Sequence, residues 1–188
     1  MGGRLVTSPG SGPGHVDPDR PQRIVDAALE VIAERGVART THRAIAERAG
    51  VPLGSVTYHY DSLDDILWAA FSQVADRVAH RFELTMSAEA GRDPRDGVTA
   101  IITEFVGRHE VDLVLSLEMY VLAARDDRYR RLVEKWQHTA RAIFATHFDA
   151  VTARMVDALL EGLILHALLS TEPVDRDFIA AAVARVTG

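Results

Sequence analysis

The chain has 188 residues, 47% of them hydrophobic and 26% charged, with a net charge of −6 and no cysteine. That length and apolar content suit one medium domain, or a small domain joined to a larger one, with a packed core. The missing cysteines exclude a disulfide framework, a thiolate metal site and a thiol nucleophile, and the acidic balance excludes a surface that is basic all over.

Residues 1–15 hold five Gly and two Pro with no apolar run, which predicts a disordered arm and no signal peptide. The most apolar stretch, Leu159 to Leu169, is too short to span a bilayer and contains Glu161 and His166. The expectation is a soluble, cytoplasmic protein without membrane contact. From Pro21 to Leu67, apolar residues recur at helical spacing, stop at Gly36, restart after Thr41, break at Gly50 and restart at Pro52.

The first helix is predicted to open with Asp19 as cap and Pro21 in its first turn, to carry an apolar stripe of Ile24, Ala28, Leu29 and Ile32, and to end at Gly36 as a left-handed cap. Thr40 and Thr41 are N-cap candidates for a second helix whose Ile45, Ala46 and Ala49 face inward; Gly50 turns the chain and Val51 fills the core. The third helix starts at Pro52. Val56 and Tyr60, four apart, pack inward. Leu53, Ser55, Thr57, Tyr58 and His59 are left facing outward, with Gly54 permitting close approach. Hydroxyls and a ring nitrogen in that position can reach base edges or phosphates. A merely solvated helix would favour Glu, Lys and Ala instead. The three-helix spacing suits a helix-turn-helix better than it suits a plain three-helix packing unit. Charge tips the balance slightly: residues 20–60 carry six bases against four acids, whereas residues 61–188 carry 14 against 21.

Ser62 or Asp61 is predicted to cap a long fourth helix reaching about Ala88, with Asp64 and Asp65 in its positive first turn. Residues 91–97 read as a loop. Helices follow near 95–108, 111–125, 127–147, 150–170 and 175–187, and Pro173 separates the last two. No strand alternation appears. The 150–170 helix is apolar nearly all round, so it is buried on more than one side, as a central core helix or against a second subunit. Met155, Ala158, Leu159, Gly162 and Leu163, with Phe178 and Ala182 of the last helix, are the candidate dimer face.

No two of the eight histidines are three or four apart, and no P-loop, G-x-G-x-x-G or G-x-S-x-G occurs. Asp157 and Glu161 share a helix face, a spacing more common in a polar interface edge than in acid–base catalysis. The chain is not expected to be an enzyme or to hold a metal or cofactor.

The stretch Ala33–Gly36 (A-E-R-G), Thr40–Thr41, Ile45–Val51, Gly54–Tyr60 and Ser62–Leu67 resembles the TetR family of bacterial transcriptional regulators over about a quarter of the chain. The resemblance implies an all-α fold: a disordered arm (1–18), a helix-turn-helix DNA-binding domain (19–65) and a larger effector-binding and dimerisation domain (66–188). It implies a ligand-responsive repressor that binds a palindromic double-stranded operator as a homodimer and is released by a mainly apolar small molecule. Thr40, Thr41, His42, Arg43, Leu53, Gly54, Ser55, Thr57, Tyr58 and His59 become the DNA-binding candidates. Trp68, Phe71, Phe105, His109, Leu113, Leu117, Tyr120, Trp136, Phe144 and His166 become the ligand-binding candidates, mostly apolar with a few polar handles. The last two long helices would form a four-helix dimer interface. Two departures stand out: Leu53 and Leu63 occupy places where the family often carries lysine. They predict a shallow salt dependence, or compensation by Arg39, Arg43 and Arg4, and they motivate an alternative: a small-molecule-binding protein of the same fold that has lost DNA binding.

Overall fold

The computed structural model describes residues 17–89, 91–108, 110–169 and 172–188. Among them the chain forms nine α-helices and no strand: α1 (Arg20–Arg35), α2 (His42–Ala49), α3 (Leu53–His59), α4 (Leu63–Ala88), α5 (Pro94–Arg108), α6 (Glu110–Ala123), α7 (Asp127–Ala145), α8 (Ala150–Leu169) and α9 (Arg176–Thr187). His109, a candidate ligand residue, and Arg4 of the arm lie outside the described residues.

The predicted stripe of α1 is buried, and so are Val25, Ala27 and Val31. The wider burial arises because α1 packs against α2 on one side and against α4 and α6 on the other. Asp19 stands at the N-cap position without bonding through its side chain; its own N–H is taken by the Asp17 carboxylate at 3.1 Å. Gly36 has φ 75° and ψ 164°, which replaces the expected left-handed cap with an extended exit into a 3-10 turn (Val37–Arg39). One distant and one local hydrogen bond fix that exit. The Val37 N–H donates to Glu118 Oε2 of α6 at 3.1 Å, and the Thr40 hydroxyl donates to the Gly36 carbonyl at 3.0 Å.

Thr41 caps α2, accepting the Ala44 N–H at 3.2 Å. Gly50 is left-handed at φ 64°, ψ 35°, and α3 follows with Val56 fully buried. Tyr60 packs on the core and donates from its hydroxyl to the Pro21 carbonyl at 3.3 Å. Ser62 caps α4, accepting from the Asp65 N–H at 3.1 Å. α4 then runs for 26 residues, straight through position 65 and on into the body.

The loop after α4 is shorter than expected, because α5 begins at Pro94. A proline needs no amide partner in a first turn, and the Asp93 carboxylate accepts the Arg95 N–H at 3.0 Å. α7 buries Tyr129, Leu132, Val133, Trp136, Ala140 and Phe144 at helical spacing. α4 to α9 share one core, in which α7 packs on α4, α6 and α8, and α5 packs on α4, α8 and α9. Among the described residues no helix is long and apolar enough to cross a membrane.

Candidate DNA interface and internal cavity

The exposed side of α3 is Leu53, Gly54, Thr57 and Tyr58, with Ser55 and His59 half-buried. Tyr58 is 83% exposed and Leu53 46%, and the Tyr58 and His59 rings meet edge to face at 5.1 Å. A Cβ on Gly54 would meet no atom of the protein, so the chain's own packing does not demand glycine there. Thr41, Arg39 and Arg43 are exposed beside this face. Two expected contributors point elsewhere. Thr40 is 3% exposed, spent on the Gly36 carbonyl; His42 is half-buried with its Nε2 enclosed and without a hydrogen-bond partner. Arg48 pairs with Glu30 and Glu34, whereas Arg39 and Arg43 are exposed cations without an ion pair among the described residues.

In the body, a cavity of about 220 Å³ opens between α4, α5, α6, α7 and α8. Phe105, Leu113, Leu117, Tyr120 and Trp136 line it, as expected from the sequence. Trp68, Phe71, Phe144 and His166 do not. Trp68 stacks obliquely on Tyr129 at 5.9 Å beneath the Arg128 guanidinium. Phe71 and Phe144 are fully buried against Tyr129 and Phe82, and His166 is exposed on α8. The walls that sequence reasoning missed are Val78, Phe82 and Ser116, with Leu160, Glu161, Gly162, Ile164, Leu165 and Leu168 along α8. A second, wider cleft of about 510 Å³ lies at the far ends of α4 and α7 around Glu83, Met86 and His147; it is an open groove without an aromatic wall, so the enclosed cavity is the better ligand site.

Aromatic faces and one carboxylate dominate the cavity. Tyr120 and Trp136 stack at 5.7 Å and 18°, and Phe82 meets Phe105 edge to face at 5.4 Å. The Tyr120 hydroxyl donates to both Glu161 oxygens, at 2.5 and 2.6 Å. Glu161 and Asp157 turn inward rather than forming the expected interface edge. Asp157 is 3% exposed and pairs with Arg141 at 2.6 Å, whereas Glu161 has no basic partner among the described residues. Burial, reinforced by the Asp157 charge, pushes the Glu161 carboxyl up from the ordinary range. Burial first, then the Glu161 charge, pushes the Tyr120 phenol up, so it stays a donor.

α8 and α9 present an apolar outer face. Met155, Ala158 and Phe178 are exposed, and Leu159, Gly162 and Ala182 are half-buried. Leu163, expected on this face, is instead buried in the protomer's own core. Val151, Leu165 and Leu169 extend the face, so that positions 151, 155, 158, 162, 165 and 169 repeat at alternating steps of four and three, the period of a helix–helix seam. Gly162 and Leu165 belong to both this apolar face and the cavity wall.

Residues 24–70 match the model of bacterial regulatory proteins of the tetR family, and residues 94–188 match a tetracyclin repressor-like C-terminal domain. Among curated relatives, the chain is 28% identical over 181 residues to the HTH-type transcriptional regulator BetI 1 of Chromohalobacter salexigens, covering 86% of this chain and 85% of that one. Among solved structures, it is 44% identical to SCO7518 of Streptomyces coelicolor A3(2), assigned as a transcriptional regulator, with a TM-score of 0.84 over 90% of this chain and 99% of that one. It is 33% identical to the multidrug binding protein EbrR solved with ethidium, with a TM-score of 0.78 over 90% and 99% of the two chains. EbrR was also solved with malachite green and with proflavin. The curated relatives carry the names of regulators, not of enzymes. With a helix-turn-helix at one end, an aromatic-walled cavity in the body and both halves matched, the chain belongs to the tetR family of bacterial transcriptional regulators.

Proposed function

We propose that this regulator is a homodimeric repressor that holds a palindromic operator with two α3 helices and lets go when a mainly apolar organic cation enters the body cavity. The observation that carries the reading is the cavity's chemistry. Stacked and edge-on aromatic rings surround one half-buried carboxylate, Glu161, that forms no ion pair among the described residues. Aromatic faces and a desolvated negative charge both favour a cation, and favour it more strongly inside than in water. The dyes found in EbrR are flat or propeller-shaped aromatic cations, which supports the same ligand class here.

In this reading Thr41, Arg43, Leu53, Gly54, Ser55, Thr57, Tyr58 and His59 form the DNA-facing surface, with Tyr58 foremost by exposure. The seam on α8, together with Phe178, joins two protomers. Two heads about 34–36 Å apart reach successive major grooves, so a shift of a few ångströms in their spacing abolishes simultaneous docking. The test is selection from a random duplex pool at near-physiological salt. Enrichment of a palindrome with half-sites about one helical turn apart is expected; no enrichment by folded protein contradicts the repressor reading. That result would favour a ligand-binding protein without operator affinity, the reading motivated by exposed Leu53.

A further inference from the structure

Leu53 opens α3 at 46% exposure and is not among the side chains that pack on the core. Leu63, the other leucine at a frequent lysine position, is half-buried and does pack there. The two differ in kind: Leu63 serves the fold, whereas Leu53 offers its side chain to whatever α3 meets. Four residues on, and so on the same side of the helix, Thr57 is exposed. Its hydroxyl donates back to the Gly54 carbonyl at 3.3 Å, which leaves its methyl as the group free for a partner. Gly54 adds no side chain beside them. The outer side of α3 thus carries an uncharged apolar strip next to Tyr58.

We infer that Leu53 is a specificity-determining residue: flanked by the Thr57 methyl, it reads the 5-methyl group of a thymine in each operator half-site. In the major groove, guanine is matched by arginine or lysine, adenine by asparagine or glutamine, cytosine by an acid, and the thymine methyl by an apolar contact. From Leu53 to His59 the chain has no Lys, Arg, Asn, Gln, Asp or Glu, so of these four matches α3 carries the last alone. An exposed leucine adds nothing to non-specific affinity, which rests on cations meeting phosphates. It adds to discrimination between sequences, which rests on base edges. Covering apolar surface is also favourable in itself, so the contact draws the leucine toward a methyl and away from the charged backbone.

The inference rests on the reading that α3 enters the major groove, and its test separates the two. The probe is the palindrome selected from the random pool, with each thymine replaced in turn by deoxyuridine in both half-sites at once. That removes the methyl and keeps the base pair. At one thymine position the replacement is expected to weaken binding by the wild type about fifteenfold, the square of about fourfold for one covered methyl. In Leu53→Ala the same replacement should cost under about threefold, and in Leu53→Met, which keeps a long apolar side chain, most of the penalty should return. Cytosine methylated at carbon 5 shows the same methyl at the same place. A selected site with cytosine in place of that thymine, bound more tightly once methylated, would overturn thymine as the partner. Operator binding indifferent to every uracil replacement, or a penalty unchanged in Leu53→Ala, overturns the inference and leaves the operator reading standing. A folded wild type that selects no palindrome defeats that reading and the inference together.

Discussion

The Tyr120 phenol of α6 donates to both oxygens of the Glu161 carboxylate of α8, inside a cavity whose walls are otherwise apolar except for Ser116. The pair sets the site's charge: the phenol satisfies the carboxylate's oxygens without neutralising it. Arg141, the nearest base, is committed to Asp157. In the proposed reading, a negative site held ready in an apolar cavity selects for a positive guest.

Glu161→Gln keeps an acceptor for Tyr120 and removes the charge. It is expected to weaken binding of a cationic dye at least tenfold, read by fluorescence titration. It should also raise thermal stability, because a desolvated charge is removed. Equal dye affinity in the two proteins would show that the carboxylate is not the cation's partner.

The same group sets a pH dependence. Its folded pKa is raised, so the folded state takes up a proton that the unfolded state takes up only at lower pH. The destabilising charge is present above the raised value and disappears as pH falls toward the ordinary glutamate range. Dye affinity follows the charge and falls as pH drops through the raised value, as proton and cation compete. The stability advantage of Glu161→Gln should therefore shrink on acidification, which paired melts at several pH values would reveal. A constant gap would contradict the shift.

At the head, Arg39 and Arg43 are exposed cations without an ion pair among the described residues. Two heads then supply four, and the slope of log affinity against log salt should be about −4. A slope near −8 would mean phosphate contacts from elsewhere in the chain. Tyr58→Ala should weaken operator binding by about 1–3 kcal/mol with the fold intact, since the ring is 83% exposed and supports no core. Operator affinity equal to the wild type would remove Tyr58 from the interface.

The α8 seam yields a separate prediction. Met155→Arg places a charge in the middle of a face that is solvent-exposed in the single chain, so it should leave the protomer folded and abolish the dimer. Light scattering after size exclusion should show a dimer mass for the wild type and a monomer mass for the variant. A monomeric wild type at micromolar concentration would remove the seam's proposed role.

Gly36→Ala acts on the joint between head and body. Positive φ costs a side-chain-bearing residue about 1–2 kcal/mol, and the added Cβ also crowds the Glu118 carboxylate. A loss of at least that size in chemical denaturation is expected. A neutral substitution would show that Glu118 does not hold this turn closely.

What could be read from the sequence was mostly local. Thr41 and Gly50 announce the ends of α2 because a cap and a left-handed turn depend on a few neighbouring residues. Ser62 announces α4 for the same reason. Gly36 was legible as a break but not in its geometry, since its extended exit depends on Glu118, far away in the chain. In the cavity, Phe82 lines the site while Phe71 and Phe144 fill solid core. All three lie on apolar stripes, and only the crossing of helices decides which stripe meets empty space. Glu161 was missed because an acid on a helix usually faces water. The available signal was its place, with Asp157, on an otherwise apolar helix: two acids where burial was expected. Leu163 went to the core and Leu165 to the surface because a helix apolar all round does not reveal which side its own protomer takes.

The central claim is that a cation in this cavity releases DNA, and one titration tests it most directly. A labelled duplex carrying the selected palindrome is bound by wild-type protein, and fluorescence anisotropy is followed as malachite green is added, with its neutral leuco form as the control. The account predicts at least a tenfold loss of operator affinity with the cation, little change with the neutral form, and little change with either in Glu161→Gln. Release by both forms alike, or by neither while the dye is bound, would contradict it.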